Sequence, residues 1–352
     1  MLKQLLVVIV TTLLISCHHR TELSSDDYVN FDFVDTINIS HDSRIELIQP
    51  KYVSVAGEYV IVTNSKGEFF FQVYNKYSLE LVGLFGKRGR GPNEYLSPRI
   101  IKTYQGDNDI MVDIYDSRNR KYCIVEINRA IEDHSYTPDI ELLPNQVFSP
   151  EEIIYKNRDT LIYTPDNSFE NSRFSLFYYS TKHIKSIPFL PELENGVSTI
   201  NSYPIYNTIS SLYTPCIKTI SLASSMLGQV DFFSLDGDYM YSKIIERQKQ
   251  LQYSGKNQLI SEFDPVRYQS EIRSTRHGIL LMYTKYYQSN EHDFSEFYFL
   301  NWNNKNNRKV ITDKVCMSFD IDKLSNKLFI LFYENERFYL SKQEIFNDQY
   351  NL

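Results

Sequence analysis

The chain has 352 residues, 42% hydrophobic and 23% charged, a globular balance that excludes an intrinsically disordered polymer. With 28 Tyr and 22 Phe against only 12 Gly and 12 Pro, the composition favours pleated, half-buried β surfaces and excludes collagen, coiled coil, a disulfide scaffold and a multi-span membrane protein. A formal charge of −7 argues against a nucleic-acid binder held by phosphate contacts.

The N-terminus reads as an address. Lys3 is a minimal positive flank, and Leu5–Ile15 is an apolar run of about 11 residues, within the range of export signals and too short to span a bilayer. It ends in Leu14-Ile15-Ser16-Cys17, which resembles the bacterial lipobox. Small Ser16 fits a tight cleavage pocket, and the Cys17 sulfur supplies the nucleophile for thioether formation. Residues 1–16 are therefore expected to be a lipoprotein signal peptide. Residues 17–30 are expected to be a lipidated tether, held in a membrane by two or three acyl chains where one gives only marginal binding. His18 in place of Asp favours, by the sorting rule for such lipoproteins, the outer membrane, facing either the periplasm or the cell surface. Of the four cysteines, Cys123, Cys216 and Cys316 remain; each stands in an apolar run, and an odd number cannot all pair, so buried thiols are expected.

Residues 31–352 read as one all-β domain. Phe31–Ile39 (FDFVDTINI) alternates like a strand. After it a pattern recurs at roughly 50-residue intervals: an aromatic or β-branched run, often a polar turn, then a second β-like run. The runs begin at Phe69, Lys121, Arg173, Gln229, Glu296 and Arg337. Most are preceded by another strand-like run, at Tyr59–Thr63, Asp109–Tyr115, Thr160–Thr164, Gly278–Tyr283 and Lys327–Tyr333, with KTISLASSM the least regular. The segments SVAG, IIKTY, EEIIYK, ISSLYT, YQSEIRS and SFDID supply the innermost strands. Six such units predict a six-bladed β-propeller of four-stranded antiparallel blades, because one small sheet cannot bury both faces alone and radial stacking buries them all. The last unit lacks a fourth strand after Arg337–Lys342, so Phe31–Ile39 is expected to complete the last blade and join the chain ends of a monomeric ring.

Between the strand-like runs LELVGLF and PRIIKTY lies GKRGRGPNEY, Gly86–Tyr95. Gly86, Gly89 and Gly91 allow positive φ and Pro92 fixes its own, the makings of a structural turn. Lys87, Arg88 and Arg90 place three cations on an otherwise acidic protein, with Glu94 near enough to pair with one of them. A connection from an outer strand to the next inner strand belongs to the face that holds the channel mouth. Lys87, Arg88, Arg90, Glu94 and Tyr95 are thus a candidate ligand-binding loop for an anionic group such as a carboxylate or uronate. The same residues also suit a turn in which Glu94 caps backbone amides while the cations are solvated. With FQVYN ahead of it and a strand ending in Phe85-Gly86, the segment resembles the G-x-G-P-x-E-[YF] signature of the TolB-like, NHL-related six-bladed propeller lipoproteins of Gram-negative anaerobes. The likeness is at motif level over Val53–Tyr115; Asn93 stands where Gly is common, a position Asn fills by tolerating positive φ. The resemblance implies a fold and an envelope location, and no particular activity.

No G-x-S-x-G, H-E-x-x-H, P-loop or dinucleotide fingerprint is present, and no catalytic residue, metal ligand or cofactor is assigned. Asp107-Asn108-Asp109 and Asp236-Gly237-Asp238 look like pieces of calcium loops without the full ligand set, and read as turns. The expected function is an envelope-anchored binding or scaffold propeller for a peptide, a glycan or another envelope protein. The alternative is a calcium-type, metal-assisted hydrolase or lyase working in the propeller channel, for which Glu151, Glu152, Glu271 and Asp320 are the available carboxylates, with no His among them.

Overall fold

Short runs of aromatic and β-branched residues separated by Gly, Asn and Asp turns favour small antiparallel sheets over helices. The computed structural model describes residues 28–39, 45, 47–107, 109–133, 135–148, 150, 152–165, 172–188, 211–214, 219–224, 228–246, 267–286, 294–303 and 305–344. Among them lie 25 strands and one short helix. Strand β1 (Phe33–Ile37) precedes blade 1, which holds β2 (Pro50–Ala56), β3 (Tyr59–Asn64), β4 (Phe69–Asn75), β5 (Leu81–Arg88) and the two-residue β6 (Glu94–Tyr95). Blade 2 holds β7 (Pro98–Gln105), β8 (Ile110–Asp116), β9 (Lys121–Glu126), helix α1 (Ile127–Glu132) as an insertion, and β10 (Asp139–Leu142). Blade 3 holds β11 (Glu152–Tyr155), β12 (Thr160–Thr164), β13 (Phe174–Tyr178) and β14 (His183–Ile187). Blade 4 holds β15 (Ser211–Thr214), β16 (Thr219–Ala223), β17 (Gln229–Ser234) and β18 (Tyr239–Ile244). Blade 5 holds β19 (Arg267–Ser274), β20 (Gly278–Tyr286), β21 (Phe294–Asn301) and β22 (Arg308–Thr312). Blade 6 holds β23 (Val315–Asp322), β24 (Lys327–Glu334) and β25 (Arg337–Gln343). This is a six-bladed β-propeller, and the repeated aromatic runs read from the sequence are the third strand of each blade.

The core is distributed between the blades. Six buried apolar clusters each draw on two neighbouring blades, from Phe71, Phe85 and Val112 between blades 1 and 2 round to Val53, Val62, Phe329 and Leu331 between blades 6 and 1. The second strands of blades 1, 3 and 4 are buried along their whole length, as strands covered on both faces are. The last seam closes the ring: the Val53 N–H donates to Ser318 Oγ at 3.2 Å, the Val55 N–H to Asp320 Oδ2 at 2.7 Å, and Lys76 pairs with Asp322 at 2.9 Å, both buried.

The expected closing strand is placed differently. Strand β1 does not complete the last blade; it lies parallel to β22, from Phe33 opposite Arg308 to Ile37 opposite Thr312, as the fifth strand of blade 5. Blade 6 keeps three described strands. The cause is the path of the chain. Tyr28 bridges Ile244 on the edge of blade 4, Val29 and Phe31 pack into the cluster between blades 4 and 5, and the Phe31 ring lies 5.3 Å from that of Tyr298. Running on from the edge of blade 4, the chain next meets the outer edge of blade 5, where β1 pairs. Farther on, Ile39 is buried between blades 5 and 6, and Ile45 and Leu47 between blades 6 and 1. The segment is a belt over three successive seams, and residues 28–30, read from the sequence as the end of the tether, belong to it. Cys123 and Cys316 are buried and carry no disulfide. The expected signal peptide, residues 1–16, Cys17 and Cys216 lie outside the described residues.

Candidate functional site

The Gly-rich loop turns at the top of blade 1, where β6 returns parallel to the end of β5 and sets Lys87 opposite Glu94 and Arg88 opposite Tyr95. Gly86 has φ +72°, and a Cβ there would run into the Phe71 ring. The Glu94 carboxylate fills the space a side chain at Gly89 would need and accepts the Gly91 N–H at 2.8 Å. Gly91 and Asn93 do not take positive φ, so the Gly at 91 serves close approach rather than the turn. Lys121 holds the loop from blade 2: its buried ammonium donates to the carbonyls of Gly91 (3.2 Å), Pro92 (3.0 Å) and Glu94 and sits 4.4 Å over the Tyr95 ring. Asn119 adds a hydrogen bond to the Gly89 carbonyl.

The five predicted site residues therefore separate. Tyr95 is buried edge-on to Phe71, and Glu94 is turned inward on the loop amides. Arg88 folds back 4.1 Å over the Phe70 ring and donates to the carbonyls of Ser65 (2.9 Å) and Gly67 (3.3 Å). Lys87 and Arg90 are exposed, and Lys87 meets the equally exposed Glu68 at 3.4 Å, a pair that water and salt readily open. Lys121 and Asn119 escaped the sequence reading; a lysine opening the apolar run KYCIVEI was the available sign.

Beside this loop a cleft of about 280 Å³ lies between the outer strands of blade 1 and the α1 insertion of blade 2. Phe69, Phe85, Tyr95 and Tyr136 give it aromatic walls; Lys87 and Asn93 from the loop and Asp133 from the end of α1 supply polar groups. Gly83 lets the insertion come close, since a Cβ there would strike Ile131. Tyr136 is fixed by its hydroxyl, which accepts the Glu126 N–H at 3.1 Å, and by Arg129, whose guanidinium lies 4.7 Å over its ring. Burial raises the Tyr136 phenol pKa. The loop thus faces a cleft on the circumference of the ring rather than the channel mouth. The α1 half of the cleft had no signal in the sequence, because nothing in INRAIE marks it as a wall for a segment some 40 residues earlier.

The channel is lined by charges that hold one another. Arg99 of blade 2 pairs with Glu152 of blade 3 and lies 4.8 Å over the Tyr52 ring of blade 1. Burial opposes the Arg99 charge, but Glu152, Tyr52 and Glu271 outweigh it and raise the guanidinium above its ordinary value. Glu271 accepts from Ser318 Oγ and the Phe319 N–H, and Arg273 spans Glu271 (3.5 Å) and Asp320 (3.0 Å). The carboxylates at 152, 271 and 320 are thus engaged by arginines, a hydroxyl and backbone. Among the described residues no three His, Cys, Asp or Glu side chains come together as a metal site, and Glu151 lies outside them. The donor set suits a structural ion-pair lining better than a calcium centre, which needs six to eight oxygens turned to one point.

No family model and no curated protein matches the chain. Solved structures do. The crystal structure of an exported protein from Bacteroides fragilis aligns over 92% of this chain and 97% of its own, with a TM-score of 0.53 at 12% identity. A member of the DUF4221 family from Bacteroides vulgatus aligns over 87% of this chain and 95% of its own (TM-score 0.49, 11% identity), and virginiamycin B lyase from Staphylococcus aureus over 84% and 95% (TM-score 0.44, 12% identity). The likeness to the Bacteroides fragilis protein is one of fold; the other two superpose more loosely.

Proposed function

We propose that the chain is an exported, lipid-anchored binding propeller of the TolB-like, NHL-related kind, whose ligand enters the cleft between blades 1 and 2 with an anionic group on Lys87. The lipobox-like Leu14-Ile15-Ser16-Cys17 supports the anchor, and the exported neighbour from Bacteroides fragilis supports a place outside the cytoplasm. The observation that carries the binding role is the cleft itself: aromatic walls with a few polar groups among them are the make-up of small-ligand sites, which bind by apolar burial and are oriented by polar contacts. The ligand class is a glycan or peptide bearing carboxylates, or an envelope protein presenting such a group. The described channel carboxylates, Glu152, Glu271 and Asp320, do not favour the calcium-assisted hydrolase or lyase, because each of the three already has a partner.

Titration calorimetry with an oligogalacturonate and with an acidic, aromatic-containing peptide tests this reading. Binding of one of them, weakened about tenfold or more by Tyr136→Ala and by Lys87→Ala, is expected, and Arg88→Ala should act through folding stability instead. Native affinity in both cleft variants would overturn it.

A further inference from the structure

We infer that the outer rim of blades 4 and 5 rests on a zwitterionic phospholipid surface, so that the propeller stands edge-on at the membrane; this builds on the lipid anchor proposed above. Single exposed apolar residues need no explanation. Here several lie on the outermost strands of blades 4 and 5, next to where the chain enters the fold. Tyr28, Phe33 and Val34 are exposed on the belt, Val34 to 63%, and Met240 and Tyr241 are exposed on β18, the strand that Tyr28 bridges. Cations accompany the rings: the Arg308 guanidinium lies 4.9 Å over Phe33 and the Lys243 ammonium 5.8 Å over Tyr241. A ring with a long basic side chain beside it matches the boundary layer of a bilayer, the ring at headgroup depth and the cation among the phosphates.

Chain length points to the same occupant. From Cys17 to Tyr28 the chain reaches at most about 40 Å, so the rim that holds Tyr28 stays close to the bilayer whichever way the domain turns. The exposed Asp32 and Asp35 on the same belt disfavour a strongly anionic surface and so favour a zwitterionic headgroup layer. Blades 4 and 5 lie across the ring from blades 1 and 2. Edge-on contact there turns the proposed ligand cleft away from the membrane and leaves both ends of the channel open.

The test places an environment-sensitive dye at Val34→Cys or at Leu142→Cys, the latter on β10 at the outer edge of blade 2 and 70% exposed. A Cys216→Ser background keeps labelling specific. Cys123 and Cys316 stay unlabelled because burial pushes their thiols up to about 11 and about 12. Lipidated protein is anchored in phosphatidylethanolamine vesicles with a minor phosphatidylglycerol fraction, and aqueous iodide quenching is read at each site. Quenching several-fold weaker at position 34 than at 142 on vesicles, and equal at the two sites in the unlipidated Cys17→Ser chain, is the expected result. Equal quenching on vesicles overturns the docking and leaves the anchor standing. Failure of Cys17 to take up labelled palmitate in cells overturns the anchor, and the docking with it.

Discussion

At the residue scale, the ammonium of Lys121 is the donor around which the Gly86–Tyr95 loop closes. Three carbonyls converge on it, and the Tyr95 ring shields it from water. Replacing it with a chain of similar length but no donors, Lys121→Met, strands those carbonyls and should cost about 2–4 kcal/mol in urea unfolding. Arg90→Ala, on the exposed side of the same loop, should change stability by less than about 0.5 kcal/mol. Equal effects would mean that the loop is not held from blade 2. The reach of this contact explains its absence from the sequence reading. A run of three cations within GKRGRG is visible at a glance, whereas the partners that sort them are remote: Arg88 turns to Ser65 and Gly67, and Lys121 approaches the loop from the next blade.

At the element scale, the strands themselves were legible, and the partner of the N-terminal edge strand was not. The centres of runs such as TLIYT and KLFILF, LIY in β12 and LFILF in β24, carry apolar or aromatic residues at successive positions because blades cover both faces, and they mark the middle of each sheet. Strand β1 has the opposite character: four of its five residues are exposed, and any blade edge could take it. Its own residues do not encode its partner; that comes from Val29, Phe31 and Ile39, which plug specific seams. The helical insertion of blade 2 was missed for a similar reason, being six residues long with only Ile127 and Ala130 buried. If the belt holds the seams, Ile39→Ala should lose about 2–4 kcal/mol, as buried Ile truncations do. Val34→Ser on the neighbouring exposed strand should be nearly neutral. Chemical denaturation of the two variants compares them; an unaffected Ile39→Ala protein would show that the belt is only draped over the ring.

At the scale of the whole molecule, the ring stands because each blade hides its apolar faces against two others, and the seam between blades 6 and 1 is the one that no direct link from one blade to the next crosses, only the belt lying over it. The buried pair of Lys76 and Asp322 joins it. Burial pushes the Asp322 carboxyl up, but hydrogen bonds from Ser325, Lys76 and the Leu324 N–H outweigh this and hold it below the ordinary value. A depressed folded pKa means that the unfolded chain binds more protons in acid. The contribution of Asp322 is therefore complete above about pH 4, the unfolded Asp range, and is lost as pH falls through the lower folded value. Asp322→Asn should lower stability at neutral pH and flatten its decline below pH 4. A double-mutant cycle of Lys76→Met and Asp322→Asn, measured by urea unfolding at pH 7, tests ring closure most directly, because 246 positions separate the two residues along the chain. A coupling of about 1–3 kcal/mol is the predicted result; strictly additive effects would contradict a closed six-bladed ring.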